Sequence, residues 1–141
     1  MSNPSKVKGT YAETKVKNYF IEHGLRCERK ALAGSNDEGD LRLYLNDGTE
    51  VTVEVKTGKQ THNYNRARLN EWKKQTIEES FNSGCKSILV ITRHYRRFDD
   101  TEVWFPNEQW GLDELDFGWS MIYIDDFVKK FGTYKEELIG G

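Results

Sequence analysis

The chain is poor in the residues that staple or anchor a protein. Its 141 residues hold only two cysteines, Cys27 and Cys85, which lie far apart and form no CxxC pair. Two reduced thiols are expected, and neither a disulfide framework nor a zinc site. No second histidine or cysteine stands at ligand spacing from His62, so His62 is not read as a metal ligand. No apolar run approaches the length of a membrane span. The opening Met-Ser-Asn-Pro-Ser-Lys lacks a signal-peptide core. An intracellular, cytoplasmic protein with no membrane partner is the expectation. Gly58-Lys59 is not a P-loop, because the first glycine and the phosphate-cradling run are missing. No nucleotide cofactor is implied.

What remains is a chain of one-domain length, long enough for a real core. Hydrophobic residues make up 36% and charged residues 31%, the balance of a soluble protein rich in exposed charge. The net charge of −2 hides an asymmetry. Residues 1–98 hold 18 Lys and Arg against 12 Asp and Glu, a balance of +6; residues 99–141 hold 3 against 11, a balance of −8. A near-neutral total therefore leaves room for a nucleic-acid surface on the first two thirds. The acidic last third is expected to face solvent or a partner. We divide the chain into a loose arm (1–8), a basic core (9–98) and an acidic, aromatic C-terminal part (99–141).

The most informative stretch runs from Gly34 to Lys59. Leu41, Leu43 and Leu45 alternate with Asp40, Arg42 and Tyr44; Val51, Val53 and Val55 alternate with Glu50, Thr52, Glu54 and Lys56. Period-2 alternation predicts two strands, each apolar on one face. Asn46-Asp47-Gly48 between them suits a three-residue hairpin loop with glycine at the left-handed position. That loop makes Leu45 face Thr49 and Asp40 face Glu54. A two-residue Asp47-Gly48 loop would set the leucines beside the glutamates, and the hydrophobic pattern rejects that register. Asp40, Glu54 and Lys56 thus share one face. Two carboxylates suit a hard ion such as Mg²⁺ or Mn²⁺. An ammonium beside them can position or deprotonate a water, or stabilise charge developing on a phosphate. From alternation alone, a surface hairpin with a cross-strand Asp–Lys pair of little energetic value is the simpler account.

Asp40 followed by Glu54-Val55-Lys56 resembles the D…(D/E)-x-K signature of the PD-(D/E)XK nuclease superfamily. The longer pattern of Lys8-Gly9, Ala12-Glu13, Gly24, Gly34-Ser35, Gly39-Asp40 and Glu54-Val55-Lys56-Thr57 is similar to the archaeal-type Holliday junction resolvases. The similarity covers about the first half of the chain and fades after Lys59. It implies an α/β, restriction-endonuclease-like fold, a mixed β-sheet flanked by helices. It also implies a Mg²⁺- or Mn²⁺-dependent endonuclease hydrolysing DNA phosphodiesters. By resemblance, Asp40 and Glu54 hold the metal with the Val55 carbonyl, Lys56 orients or activates the water, and Glu13 reaches in as an outer ligand or for a second ion. The sequence departs from the family at Thr14, where the resolvases carry arginine after the helix glutamate. It also lacks their arginine just before the Gly-Ser loop, although Arg29 and Lys30 stand near.

Along the chain, Thr10 and Glu13 form a capping-box pattern ahead of a helix over residues 11–23. Its buried arc would hold Ala12, Val16, Tyr19, Phe20 and His23, and Gly24 would end it. By residue pattern Glu13 is a capping residue; the resemblance turns it inward instead. Leu25 to Leu32 reads as a strand. The polar loop Gly34 to Gly39 suits either an ordinary surface turn or close approach to a phosphate, and the resemblance carries Ser35 over as functional. Arg66 to Ser83 reads as a second helix closed by Gly84, with an apolar stripe of Leu69, Trp72, Ile77, Ser80 and Phe81. Gln75 and Lys74 would look toward the site. Ser87 to Thr92 reads as a buried central strand. Thr101 to Phe105 and Trp119 to Ile124 read as further strands, and Asp125 to Leu138 as a helix capped by Asp125. Candidate DNA-contacting residues are Lys8, Arg29, Lys30, Ser35, Lys59, Arg66, Arg68 and Arg96, the last within the cluster Arg93, His94, Arg96, Arg97.

The expected partner is branched DNA, above all a four-way junction. Such a substrate needs two incisions and the chain shows one D…ExK set, so a homodimer is expected, with Trp104, Phe105, Trp110, Phe117 and Trp119 as its interface core. Completion of the monomer's own core is the competing reading of those aromatics. Three alternatives stay open: a nuclease for flaps, single strands or a specific duplex site; a catalytically inactive DNA-binding module; and a protein-binding module built on the acidic tail.

Overall fold

The computed structural model describes residues 4–30, 38–112 and 118–132, with the backbone alone for 4–10. Six strands form one sheet in chain order: β1 (Arg26–Arg29), β2 (Leu41–Tyr44), β3 (Glu50–Lys56), β4 (Lys86–Ile91), β5 (Glu102–Pro106) and β6 (Trp119–Tyr123). All neighbours are antiparallel except β3 and β4, which are parallel. Parallel strands need a crossover, here α2 (Arg66–Ser83). The remaining helices are α1 (Pro4–Glu22) and α3 (Ile124–Phe131). The expected α/β class with a mixed, helix-flanked sheet is the one observed. None of the described helices is long and apolar enough to cross a membrane.

The β2–β3 register matches the turn-based expectation. Leu41 pairs with Val53 and Tyr44 with Glu50, and the Leu45 amide donates to the Thr49 carbonyl at 2.9 Å. Gly48 takes φ +89°, which a side chain would resist. One residue beyond the ladder, the Asp40 amide still donates to the Val53 carbonyl at 2.9 Å. Asp40 therefore stands across from Glu54.

The two faces of the sheet differ. Leu41, Leu43, Val51, Val53, Ile88, Val90 and Val103 form the main core with Val16 and Phe20 of α1 and Phe127 of α3. The opposite face lies under α2, where Trp72, Leu89 and Ile91 make a smaller apolar cluster with Trp104 and Trp119 packed on it. Here the hairpin's polar side is buried as well: Thr52, Arg42 and Glu54 are 0%, 7% and 4% exposed. That excludes the surface-hairpin account.

Several boundaries move. α1 begins at Pro4, so residues 4–8, expected as part of a loose arm, form its first turns. Proline suits a first helical position, because the amide it lacks would have no helical partner there. Thr10 and Glu13 consequently lie inside the helix and form no capping box. On α2 the inward residues are Trp72, Thr76, Glu79 and Ser80, and Phe81 is 83% exposed instead of completing an apolar stripe. The inward arc is largely polar because it covers the polar half of β2 and β3. α3 starts at Ile124 with no side-chain cap, so Asp125 is a first-turn residue, paired to Lys129 at 2.9 Å. Of the expected interface aromatics, Phe105 and Trp110 belong to the main core, and Trp104 and Trp119 to the smaller cluster; Phe117 lies outside the described residues. The monomer's own packing accounts for the four that are described.

Candidate active site

The site sits where β2 begins and β3 and β4 end. A cleft of about 1090 Å³ opens there between α1, the end of β3 and the segment after β4. Asp40, Glu54 and Lys56 line it together with Glu13. The hairpin register puts the two carboxylates across from each other. The parallel β3–β4 pair, Lys56 beside Ile91, brings the turns that follow both strands to the same edge. The Thr92 amide donates to the Lys56 carbonyl at 2.9 Å, extending that pairing.

Each side chain is held. The Val55 amide donates to Asp40 Oδ2 at 2.8 Å. Lys56 Nζ lies 3.1 Å from Glu54 Oε1 and donates to Gln75 Oε1 at 2.8 Å. Gln75 Nε2 donates to the same Glu54 oxygen at 3.2 Å. Gln75 thus bridges Lys56 and Glu54 from α2, as expected, whereas Lys74 is exposed. The other Glu54 oxygen, Oε2, is buried without a hydrogen-bond partner, a costly state for a charged oxygen unless a cation meets it.

Burial pushes the Asp40 carboxyl up, to about 7 from an ordinary 3.8, and the charge of Glu54 adds to the rise. The Val55 hydrogen bond and Lys56 oppose it. Glu13 is also raised, mainly by burial, with Arg29 opposing. Two facing carboxylates that repel each other, one with an unsatisfied oxygen, form a set of hard oxygen donors that a divalent cation would relieve. The Val55 carbonyl lies between Glu54 and Lys56 in sequence. Among the described residues no group of three or more His, Cys, Asp or Glu side chains is gathered closely enough to hold a metal ion. The fit is therefore to Asp40 and Glu54, and Glu13 stands back, paired with Arg29 at 3.1 Å.

The predicted DNA-contacting residues divide. Lys59 and Arg96 line the cleft. Arg29 reaches it only through Glu13, and Lys30 is exposed at the end of β1. Arg66 and Arg68 lie in the first turn of α2, outside the cleft lining, where the Asn65 side chain caps the helix by accepting from the Arg68 amide at 2.8 Å. Ser35 and the side chain of Lys8 lie outside the described residues. Within the basic cluster, Arg93 is tied to Glu102 at 3.0 Å and Arg97 to Asp99 at 3.4 Å, and both line the cleft. Sequence reasoning missed Lys15 and Tyr11, which join Glu13 on the cleft side of α1. Tyr11 and Lys15, four residues apart, are helical neighbours of each other, but each stands only two residues from Glu13, a spacing that gave no signal for them.

No protein-family model matches the chain, and no curated protein matches it. Among solved structures the chain is similar to that of Hjc from Archaeoglobus fulgidus, a Holliday junction resolvase from an archaeal hyperthermophile. The identity is 19%, the likeness covers 94% of this chain and 96% of that one, and the TM-score is 0.47.

Proposed function

We propose that the chain is a divalent-metal-dependent endonuclease that hydrolyses DNA phosphodiesters in branched substrates, in the manner of the Holliday junction resolvases its motifs resemble. One observation carries the reading. Asp40 and Glu54 face each other with an unsatisfied buried oxygen, Lys56 stands 3.1 Å from Glu54, and the set opens into a cleft with Lys15, Lys59, Arg93, Arg96 and Arg97 in its lining. A purely binding surface has no use for carboxylates beside phosphate, where they weaken attraction.

Asp40 and Glu54, with the Val55 carbonyl, would hold Mg²⁺ or Mn²⁺. The ion supplies the Lewis-acid charge that phosphodiester hydrolysis needs. The protein does the rest. The Val55 amide fixes the Asp40 carboxylate. Lys56, oriented by Gln75 and Glu54, positions the attacking water and offsets charge developing on the phosphate. Glu13, paired with Arg29 on the α1 side of the cleft, stands behind Asp40 and Glu54 and adds negative charge near them. The cationic rim seats the backbone, a contribution that weakens as salt rises. One chain carries one such set, so paired incision of a four-way junction requires two chains, and a homodimer is part of this reading.

The test is cleavage of a four-way junction, a flap, a single strand and a linear duplex, each with Mg²⁺ and with EDTA. Symmetric nicks in the junction, dependent on Mg²⁺, are expected. Undiminished cutting in EDTA refutes the metal assignment, preference for another substrate refutes the junction assignment, and no cutting of any DNA refutes the nuclease. Sedimentation equilibrium of the protein alone and junction-bound should show a dimer; a monomer in both states removes the paired-cut mechanism.

A further inference from the structure

Tyr95 is an unusual residue at its position. It follows β4 and has φ +63°, one of two non-glycine residues with positive φ among the described residues. The Arg96 amide donates to the Arg93 carbonyl at 3.2 Å, closing a turn of which Tyr95 is the third residue. Turns that require positive φ there favour glycine or asparagine, so a tyrosine needs a reason beyond backbone shape. The residue is 82% exposed, so core packing is not that reason.

The ring is instead supported from within the protein. Its centroid lies 3.9 Å from that of His94 and 5.4 Å from that of His62. The turn beneath is pinned: the His94 amide donates at 2.8 Å to the hydroxyl of Thr61, a fully buried residue. That hydroxyl in turn lies within hydrogen-bond reach of the Gly58 and Thr92 carbonyls, at 2.8 and 2.9 Å. Thr61 thus couples the turn after β3 to the turn after β4. Arg96 and Lys59 line the same cleft as Tyr95. So does Tyr11 of α1, itself 70% exposed.

We infer that Tyr95, propped on His94 and His62, is a stacking ledge for an unpaired nucleobase, with Tyr11 as a second aromatic surface on the same cleft. A large exposed ring on a rigid turn, flanked by cations that take the phosphates, is what a sequence-tolerant single-stranded contact requires. A continuous duplex exposes base faces only at its ends, so the ledge favours DNA with unstacked bases at a branch, flap or gap. This rests on the cleft being the nucleic-acid surface of the proposed nuclease, and it narrows the substrate to DNA with an unpaired base beside the scissile strand.

The test is binding in EDTA by fluorescence anisotropy, with the full chain and three probes: oligothymidylate, a blunt duplex of equal length, and a four-way junction carrying 2-aminopurine at the crossover. Loss of one base stack should weaken oligothymidylate and junction binding by roughly 5- to 150-fold in Tyr95→Ala, with duplex binding nearly unchanged. Tyr95→Trp should restore it, and 2-aminopurine fluorescence should be quenched by the wild type and Tyr95→Trp only. Tyr95→Gly separates fold from contact: it should melt higher than the wild type, because positive φ suits glycine, while binding as weakly as the alanine variant. Equal losses on all three probes, no loss on any, or no retention of any probe by the wild type at low salt overturns the ledge. Selective loss in a protein that cuts no DNA with Mg²⁺ leaves the ledge standing and removes the nuclease.

Discussion

Replacing Asp40 by asparagine should stabilise the metal-free protein at neutral and alkaline pH while abolishing cleavage. Burial and the facing Glu54 raise the Asp40 pKa from 3.8 to about 7. A raised carboxyl pKa means the folded state holds the proton more tightly than the unfolded chain. The stability this contributes is complete below about pH 4 and is lost as pH climbs through about 7. At about 1.36 kcal/mol for each pH unit the span corresponds to about 4 kcal/mol. Asp40 is partly exposed, and solvent screening reduces that to about 2 to 3 kcal/mol. Asparagine mimics the protonated acid in size, and its carbonyl can still accept from the Val55 amide.

The assay is urea denaturation of wild type and Asp40→Asn in EDTA, at several pH values from 4 to 8. The difference between the two curves reports Asp40 together with its electrostatic coupling to Glu54 and Glu13. The variant should match the wild type near pH 4 and exceed it by about 2 to 3 kcal/mol at pH 8. Mg²⁺ at pH 8 should then stabilise the wild type by mass action and leave the variant unmoved. A difference that stays constant with pH, or a variant less stable at pH 8, would falsify the claim that the two carboxylates repel each other across a desolvated gap.

Other perturbations separate chemistry from docking. Lys56→Ala should lower kcat by about 100- to 1,000-fold, the loss typical of one transition-state contact, with DNA affinity nearly intact; equal small losses in both would make Lys56 a docking residue. Gln75→Leu, which removes the bridge between Lys56 and Glu54, should lower kcat about tenfold and shift the pH–rate profile with KM unchanged; an unmoved profile would refute its positioning role. Arg96→Gln should reduce the slope of log affinity against log salt by about one, while Arg66→Gln, outside the cleft lining, should leave it unchanged. Gly39→Ala should destabilise by about 2 to 4 kcal/mol in thermal or urea melts, because Gly39 has φ +94° and an added Cβ would lie 2.5 Å from Thr52 Oγ1.

Where local chemistry decides structure, the sequence was legible. The loop Asn46-Asp47-Gly48 and the two alternating strands left one register consistent with an apolar face, and Asp40 stands across from Glu54 as that register requires. The span of α2 followed from its C-terminal glycine, since Gly84 is left-handed at the helix end. Boundaries failed where two local rules competed. Thr10 and Glu13 fit a capping box, but the chain before them is helical from Pro4 and leaves no terminus there to cap. Burial failed where tertiary context decides. Alternation shows that one face of the hairpin is polar, but not that α2 covers it and buries Glu54 and Thr52. Phe81 was misplaced for the same reason: an apolar arc was sought on a helix whose inward side is polar.

The parallel pairing of β3 with β4 matters more to the site than the hairpin does. The hairpin alone supplies the carboxylate pair and Lys56. Because β4 runs parallel to β3, its C-terminal turn emerges beside Lys56 and carries Arg93 through Arg97 to the cleft. Had β4 run antiparallel, that turn would lie at the far end of its six residues, about 20 Å away at about 3.3 Å per residue. The carboxylates would then have no cationic wall on that side. The crossover that a parallel pair demands is α2 itself, and α2 delivers Gln75 to Lys56 and Glu54. It also covers the polar side of the hairpin, which removes the water that would otherwise shield Asp40 from Glu54. One topological choice therefore accounts for the basic wall, the bridging glutamine and the raised carboxyl. The same choice sets the turn after β3 next to the turn after β4, where Thr61 holds the backbone beneath Tyr95.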